Sequence, residues 1–405
     1  MPHRSRSPIT VVGIGADGWT GVPQRLRDLV EGADVLLGGP RHLALVPETA
    51  GLVRAPWPSP LREGLPALLE RYDGQRIVAL ASGDPLVSGI GTTLIDLLGP
   101  ERVHIEPAVS SVSLAAARMR WPAESFEVIS LVGRDPSGLL RALAPGHRLV
   151  VLSSDAGTAE TVAALLTDAG YGRSRITVLG DLGADDETCH VASAATWVGS
   201  PPDLNILAIE LNGSGYGARA GGLPDEAFEH DGQLTKRDLR ASALARLAPQ
   251  PGQLLWDVGA GAGSVGIEWL RSQPTTRAIA VEADPERVAR ITRNARALGV
   301  PGLEVVTGHA PEALKALPDP HAIFVGGGAT VEWLLQTCLG KLRPGGRLVV
   351  HGVTVETEGL LAAQYAHHGG ELTRIHTETA APIGSFTGWT PARAVTQWAY
   401  TKEKP

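Results

Sequence analysis

Cysteine is nearly absent from this chain: Cys189 and Cys338 are the only two in 405 residues, far apart and without metal-ligand spacing. They exclude a disulfide framework and a cysteine-based zinc site, so no metal is expected. Each reads as a small residue of the interior. A basic surplus is also missing, since the formal net charge is −7. That excludes the basic stripe of a typical nucleic-acid-binding surface, while leaving room for local cationic sites. No apolar run approaches the roughly 20 residues of a membrane span. The first one, Ile9–Ile14, is too short for a signal-peptide core. The expectation is a cytoplasmic protein with no membrane or nucleic-acid partner. No Ser-His-Asp or Cys-His arrangement stands out as a nucleophilic centre.

What is present is glycine, in two turns that each follow a short apolar strand. Gly13-Ile14-Gly15-Ala16-Asp17-Gly18 follows Ile9–Val12, and Gly259-Ala260-Gly261-Ala262-Gly263 follows Leu254–Val258. Glycine lets a backbone turn tightly and approach a ligand, and a helix starting after the turn offers free N–H groups to it. At roughly 150 residues per domain the length fits two or three domains. The 43% apolar content can fill a core in each. The glycine-dense run Asn212-Gly213-Ser214-Gly215-Tyr216-Gly217, with Gly221-Gly222-Leu223-Pro224 after it, marks the boundary. Expected domains are residues 1–211 and 224–405, joined by a linker over 212–223.

In both halves short apolar strands alternate with helical patterns, which predicts an α/β protein with largely parallel sheets. In the first half strands are expected at Ile9–Val12, Val35–Leu37, Ile77–Leu80, Val103–Ile105, Val128–Leu131, Leu149–Leu152, Ile176–Leu179 and Ile206–Leu211. Helices are expected at Pro66–Tyr72, Thr92–Leu98 and Thr158–Ala169, while Trp19-Thr20-Gly21 begins a helix poorly. The second half reads as a doubly wound sheet with its ligand at the carboxyl ends of the strands. Its strands are Leu254–Val258, Ala278–Val281, Leu303–Val306, Ile323–Val325, Arg347–Val350 and Ala394–Tyr400. Its helices are Leu239–Ala248, Pro285–Leu298 and Val331–Leu342.

The second glycine turn has two readings. Gly261-Ala262-Gly263-Ser264-Val265-Gly266 fits the dinucleotide pattern G-x-G-x-x-G, with Glu282 about 20 residues on as a ribose-binding acid. That reading gives a two-domain NAD-dependent oxidoreductase. The longer run from Asp257 to Gly263, an acid ending a strand before three alternating glycines, resembles motif I of class I S-adenosylmethionine methyltransferases. Arg343-Pro344-Gly345-Gly346-Arg347 resembles a later signature of the same group. A third reading leaves one half catalytic and the other a binding module.

Further strings narrow the resemblance. Leu234-Thr235-Lys236-Arg237-Asp238-Leu239-Arg240, Gly308-His309-Ala310-Pro311-Glu312-Ala313-Leu314, Phe324-Val325-Gly326-Gly327-Gly328 and Val353-Thr354-Val355-Glu356-Thr357-Glu358 resemble the decarboxylating precorrin C-15 methyltransferases, over about residues 224–405. The resemblance implies cofactor contacts at Thr235, Asp257, Gly259, Ala260, Gly261, Ala262, Gly263, Glu282 and Ala310. His309 stands where those relatives commonly carry aspartate, and a neutral imidazole accepts through only one nitrogen. In the first half Gly13–Gly18, Gly38-Gly39-Pro40-Arg41-His42, Ala81-Ser82-Gly83-Asp84-Pro85 and Pro107-Ala108-Val109-Ser110-Ser111 resemble the tetrapyrrole methylases, specifically the precorrin C-5 methyltransferases. There the implied cleft residues are Gly13, Gly15, Gly83, Asp84, Ser110 and Ser111. Val132 replaces the histidine that relatives often carry before Gly133-Arg134.

In this order the halves resemble the fused precorrin-6B C-5,15-methyltransferases (decarboxylating) of cobalamin biosynthesis. The implied fold is a two-lobed tetrapyrrole methylase domain followed by a class I, Rossmann-like methyltransferase domain. One S-adenosyl-L-methionine per domain, a tetrapyrrole substrate, the product precorrin-8X and assembly into a homo-oligomer are implied as well. The conjugated macrocycle is itself the nucleophile and electron sink, so the protein has chiefly to align reacting carbons and exclude water. Specific catalytic side chains are hard to single out, and Asp84 and Lys236 are the candidates. The substrate's carboxylates call for cations, offered by Arg41, His42 and Arg134 in one half and Lys236, Arg237 and Arg240 in the other. Arg237 and Arg240 also fit ordinary solvated surface charge, as do His367 and His368.

Overall fold

A computed structural model describes residues 8–215 and 217–404. Tyr216, within the glycine-dense run, lies outside the described residues. The chain divides into two compact units. The first takes the described residues up to Arg134 together with Pro145–Gly213; the second takes Asp135–Ala144 and the described residues from Ser214 onward.

The first unit holds two five-stranded sheets. Strands β1 (Ile9–Ile14), β2 (Val35–Gly38), β3 (Val53–Pro56), β4 (Ile77–Ser82) and β5 (Val103–Glu106) pair in the order β3-β2-β4-β1-β5. Every pairing in this sheet is parallel. Its central strands are continuous apolar runs because helices cover both faces: Val11, Leu37 and Ala79 pack on one side, Val12, Leu36 and Leu80 on the other. The second sheet comprises β6 (Glu127–Ser130), β7 (Arg148–Leu152), β8 (Arg175–Gly180), β9 (Thr188–Ser193) and β10 (Asn205–Glu210), ordered β6-β7-β10-β8-β9.

This second sheet departs from the expected parallel arrangement. Only β6 and β7 run parallel, whereas β10 is antiparallel to both β7 and β8, and β9 returns against β8. No helix separates β8 from β9, so they form a hairpin. β9 is an exposed edge carrying Cys189, which is not the buried residue expected; Cys338 is buried and its thiol is pushed up to about 12 by burial. Near the N-terminus, Gly18–Gly21 does form one helical turn before the helix Gln24–Glu31.

The second unit is built on a seven-stranded sheet. Its strands are β11 (Leu254–Val258), β12 (Arg277–Glu282), β13 (Glu304–Thr307), β14 (Ala322–Val325), β15 (Arg347–Gly352), β16 (Glu371–Ile375) and, after the hairpin β17 (Glu378–Ile383) and β18 (Phe386–Pro391), β19 (Val395–Thr401). The order is β13-β12-β11-β14-β15-β19-β16, with five parallel strands, then β19 antiparallel to them, and β16 antiparallel to β19. Strand order reverses between β11 and β14, the switch point where a doubly wound sheet opens a crevice. Alternating side chains of β11 serve opposite faces: Leu255 joins Leu244, Trp269 and Ile291, while Trp256 joins Leu335, Leu361 and Trp398. Among the described residues no helix is long and apolar enough to cross a membrane.

Candidate functional sites

The cleft of the first unit forms where its two sheets meet. A cavity of about 360 Å³ lies there, within the size range of small-molecule sites. One wall is made by strand ends of the first sheet: Gly15 after β1, Ser82, Gly83 and Asp84 at the end of β4, and Ser110 and Ser111 after β5. Arg41 and His42, on the helix Pro40–Leu45, complete it. The other wall comes from the second sheet and includes Val132, Leu152, Ser153, Leu179 and Asn205.

Gly13 is not in that lining. It sits one residue before the end of β1, and a Cβ there would lie 2.0 Å from the Gly83 carbonyl oxygen and 2.6 Å from the Ala108 nitrogen. Its missing side chain lets three strand ends converge, so it shapes the cleft from beneath. Ser110 caps the helix Ser111–Met119, its Oγ accepting from the Ser113 amide at 3.1 Å. Asp84 accepts from the Leu86 amide at 2.9 Å, which fixes the turn. Arg134 is exposed and lies outside the lining. Ser153 Oγ and Asn205 Oδ1 are buried, without a hydrogen-bond partner, beside the cavity. Such unsatisfied groups fit a polar ligand.

In the second unit the residues singled out by sequence gather at the carboxyl ends of β11, β12 and β13. Gly259, Gly261 and Gly263 all have left-handed backbones, with φ of 68°, 60° and 76°. Gly261 is hemmed in from above: a Cβ would lie 2.8 Å from the Gln233 carbonyl oxygen. That contact lays the Gln233–Thr235 segment over the glycine loop. Ala260 donates to the Val281 carbonyl, and the Ala262 carbonyl accepts from buried Asn294 at 3.0 Å.

Glu282, at the end of β12, is buried. Its Oε2 accepts from the Gly261 amide at 2.8 Å, and its Oε1 from the Ala283 and Asp284 amides at 2.9 and 3.1 Å. A carboxylate has roughly four acceptor positions, so acceptor capacity remains after these contacts. His309 and Ala310 follow β13, whose Thr307 is in register with Glu282; His309 is exposed. The turn of left-handed glycines beside a buried acid is a cradle that side chains would fill, and it fits a nucleoside-bearing ligand.

Asp257 is placed differently from the expectation for a ligand contact. It is fully buried under the glycine loop, where Oδ2 accepts from the Gly266 amide at 2.8 Å and pins the start of the helix Ser264–Ser272. Burial pushes its carboxyl up to about 7, with the nearby Glu282 charge adding to the rise.

Arg240 overturns both sequence readings, being neither surface charge nor a cation for substrate. It is 0% exposed. Its Nε donates to Glu268 at 2.6 Å and its Nη1 to Asp225 at 3.3 Å; Nη1 and Nη2 also reach the carbonyls of Thr235 and Leu223. The Phe228 ring lies against the guanidinium, 4.8 Å from ring centre to Cζ. Arg240 therefore secures the segment that carries Thr235. Lys236 and Arg237 are exposed, and Lys236 pairs with Asp225 at 3.5 Å. His367 is exposed as expected, whereas His368 is half-buried and packs against Trp398 and Tyr400. Among the described residues no cluster of His, Cys, Asp and Glu could hold a metal ion.

Residues 8–197 match the family of Tetrapyrrole (Corrin/Porphyrin) Methylases, and residues 226–402 match a Precorrin methyltransferase domain. A precorrin-6Y C(5,15)-methyltransferase (decarboxylating) of Sinorhizobium sp is 44% identical over 400 residues, covering 97% of this chain and 96% of that protein. A cobalt-precorrin-6B C(15)-methyltransferase (decarboxylating) of Salmonella typhimurium is 30% identical over 175 residues, covering 42% of this chain and 90% of its own length. The crystal structure of the C-terminal domain of a precorrin-6Y C5,15-methyltransferase from Rhodobacter capsulatus shares 42% identity, covering 46% of this chain and all of that one, with a TM-score of 0.44.

Proposed function

The chain belongs to the decarboxylating precorrin-6Y C(5,15)-methyltransferases, and from that membership we propose that it methylates precorrin-6B at C-5 and C-15 and removes the ring-C acetate carboxyl, giving precorrin-8X. It is a methyltransferase of the cobalamin pathway. In this reading residues 1–211 serve C-5, residues 224–405 serve C-15 with decarboxylation, and 212–223 link them. Each site takes its own S-adenosyl-L-methionine, which when bound supplies an electrophilic methyl group.

The observation that carries the reading is the pairing of two differently built sites in one chain, each matching its own methyltransferase family. In the first unit the strand-end turns and unpartnered Ser153 and Asn205 supply polar contacts inside an otherwise apolar cleft. In the second, Glu282 is held rigidly by backbone amides, so its remaining acceptor capacity is aimed before a ribose arrives. Thr235 lies two residues after Gln233, whose carbonyl covers the loop, while Ala310 and exposed His309 follow β13. Aligning a nucleophilic carbon with the methyl group and excluding water is most of the required chemistry. Loss of carbon dioxide leaves its electron pair in the macrocycle.

Glu282→Ala tests the division of labour. Charge-assisted hydrogen bonds worth roughly 1.5–3 kcal/mol are lost, weakening the second cofactor site by about 10- to 150-fold. Calorimetry should then count one tight site per chain in place of two. Mass analysis should find C-5 methylation without C-15 methylation or carbon dioxide loss. Both methyl groups arriving at the normal rate would overturn the assignment of this half.

A further inference from the structure

His42 was expected to be a cation, but its hydrogen bonds require the opposite. The helix Pro40–Leu45 places His42 and Arg41 on the cavity wall beside Ser82, the last residue of β4. Arg41 Nη2 lies 3.1 Å from His42 Nε2 and 3.1 Å from Ser82 Oγ, while Nε2 and Oγ are 2.9 Å apart. A guanidinium has donors only. Nε2 must therefore present a lone pair, and the imidazole hydrogen sits on Nδ1, which is buried without a partner. Ser82 Oγ accepts from Arg41 and donates its own hydrogen to Nε2. The cluster thus ends in a hydroxyl facing the cavity, backed by a nitrogen that can take a proton.

Resting on the function proposed above, we propose that Ser82 and His42 form the proton-accepting relay for methyl transfer in the first unit. The carbon at C-5 bridges two rings and carries a hydrogen. As the macrocycle's electron pair forms the new C–CH₃ bond, the pair of the broken S–CH₃ bond stays on sulfur as a thioether. The C–H bond then breaks and its electrons restore the conjugation. Its proton passes to Ser82 Oγ while the Ser82 hydrogen moves to His42 Nε2, and the imidazolium releases that proton to water. The net change is one methyl for one hydrogen, with one proton to solvent.

The surroundings favour this resetting. Burial first, and then the charge of Arg41, hold His42 down to about 4, so it is neutral at neutral pH and, once protonated, gives the proton up readily. The other charged groups facing the pair are Asp84 on the same wall and Asp181, which acts on Arg41 from the end of β8.

The test uses the full chain with precorrin-6B and S-adenosylmethionine, read by single-turnover mass analysis and by ¹⁵N NMR of the free protein. His42→Gln and Ser82→Ala should each slow C-5 methylation about 100-fold, the lower end for general acid–base catalysis. The KM for S-adenosylmethionine and the C-15 reaction should stay as in the parent chain. The acid limb of the C-5 rate should move to higher pH in Arg41→Gln, since one charge opposing His42 protonation is gone. NMR should show Nδ1–H and a bare Nε2 at neutral pH. A protonated Nε2, or both variants working at the parent rate, would overturn the relay while leaving C-5 methylation assigned. If the parent chain adds no C-5 methyl group at all, the functional reading fails and the relay with it.

Discussion

Asp257 lies one residue before the end of β11 and Glu282 ends the adjacent β12, two residues beyond Asp257's partner Ala280, yet they meet different demands. Glu282 is held by three backbone amides at the mouth of the glycine turn. Asp257 is buried and accepts from one amide, that of Gly266. Its folded-state carboxyl titrates near 7 against an ordinary 3.8. The folded chain therefore binds the extra proton between those values, and stability falls as pH rises through that window. Asp257→Asn keeps an acceptor for Gly266 and removes the titration. Urea midpoints from pH 4 to 8 should decline less in this variant than in the parent chain; parallel declines would refute the assignment. Sequence placed both acids at strand ends, because an acid closing an apolar run before glycines is a local pattern. It did not distinguish a ligand-facing acid from one pinning a helix, since that depends on which way a strand end turns. Arg240 was misread for a related reason: its partners Glu268, Asp225 and Leu223 come from separate segments.

Among the elements, the helix Arg237–Leu247 shows how an unpromising segment becomes fixed. Its buried residues Arg240, Ala243, Leu244 and Leu247 line one face, but that face carries an arginine, which ties the helix to Ser264–Ser272 through Glu268 and to the preceding chain through backbone carbonyls. Glu268 in turn accepts from the Gly222 and Leu223 amides at 2.5 and 2.9 Å. Arg240→Met would strip a buried carboxylate of its guanidinium partner, at a cost of about 3–5 kcal/mol. That loss should be read in the urea transition of the second unit, with Arg240→Lys intermediate because an ammonium cannot reproduce the fork. A near-neutral Arg240→Met would show that the network contributes little. Elements with a uniform environment were legible beforehand. The buried parallel strands β1, β2, β4, β11, β12 and β14 are continuous apolar runs. The half-exposed strands β3, β9 and β16 to β18 were missed because their alternation is broken by polar residues and proline. The helix Ser264–Ser272 starts directly after the glycine turn, as expected. The helix Val355–His368 was missed, because it is mostly exposed and shows no clean helical stripe.

At the scale of the whole molecule, two glycine turns that look alike in sequence belong to unrelated architectures. The first ends the central part of an all-parallel sheet whose strand ends converge on a two-walled cavity. The second opens a seven-stranded sheet at its switch point, beside a buried acid. In the proposed function one chain performs two methylations and one decarboxylation on one macrocycle. The most direct test is to incubate the purified chain with precorrin-6B and S-adenosylmethionine and determine the product mass. The expected product has gained two methyl groups and lost one carbon dioxide, with two equivalents of S-adenosylhomocysteine formed. A product carrying at most one new methyl group, or retaining the carboxyl, would contradict it.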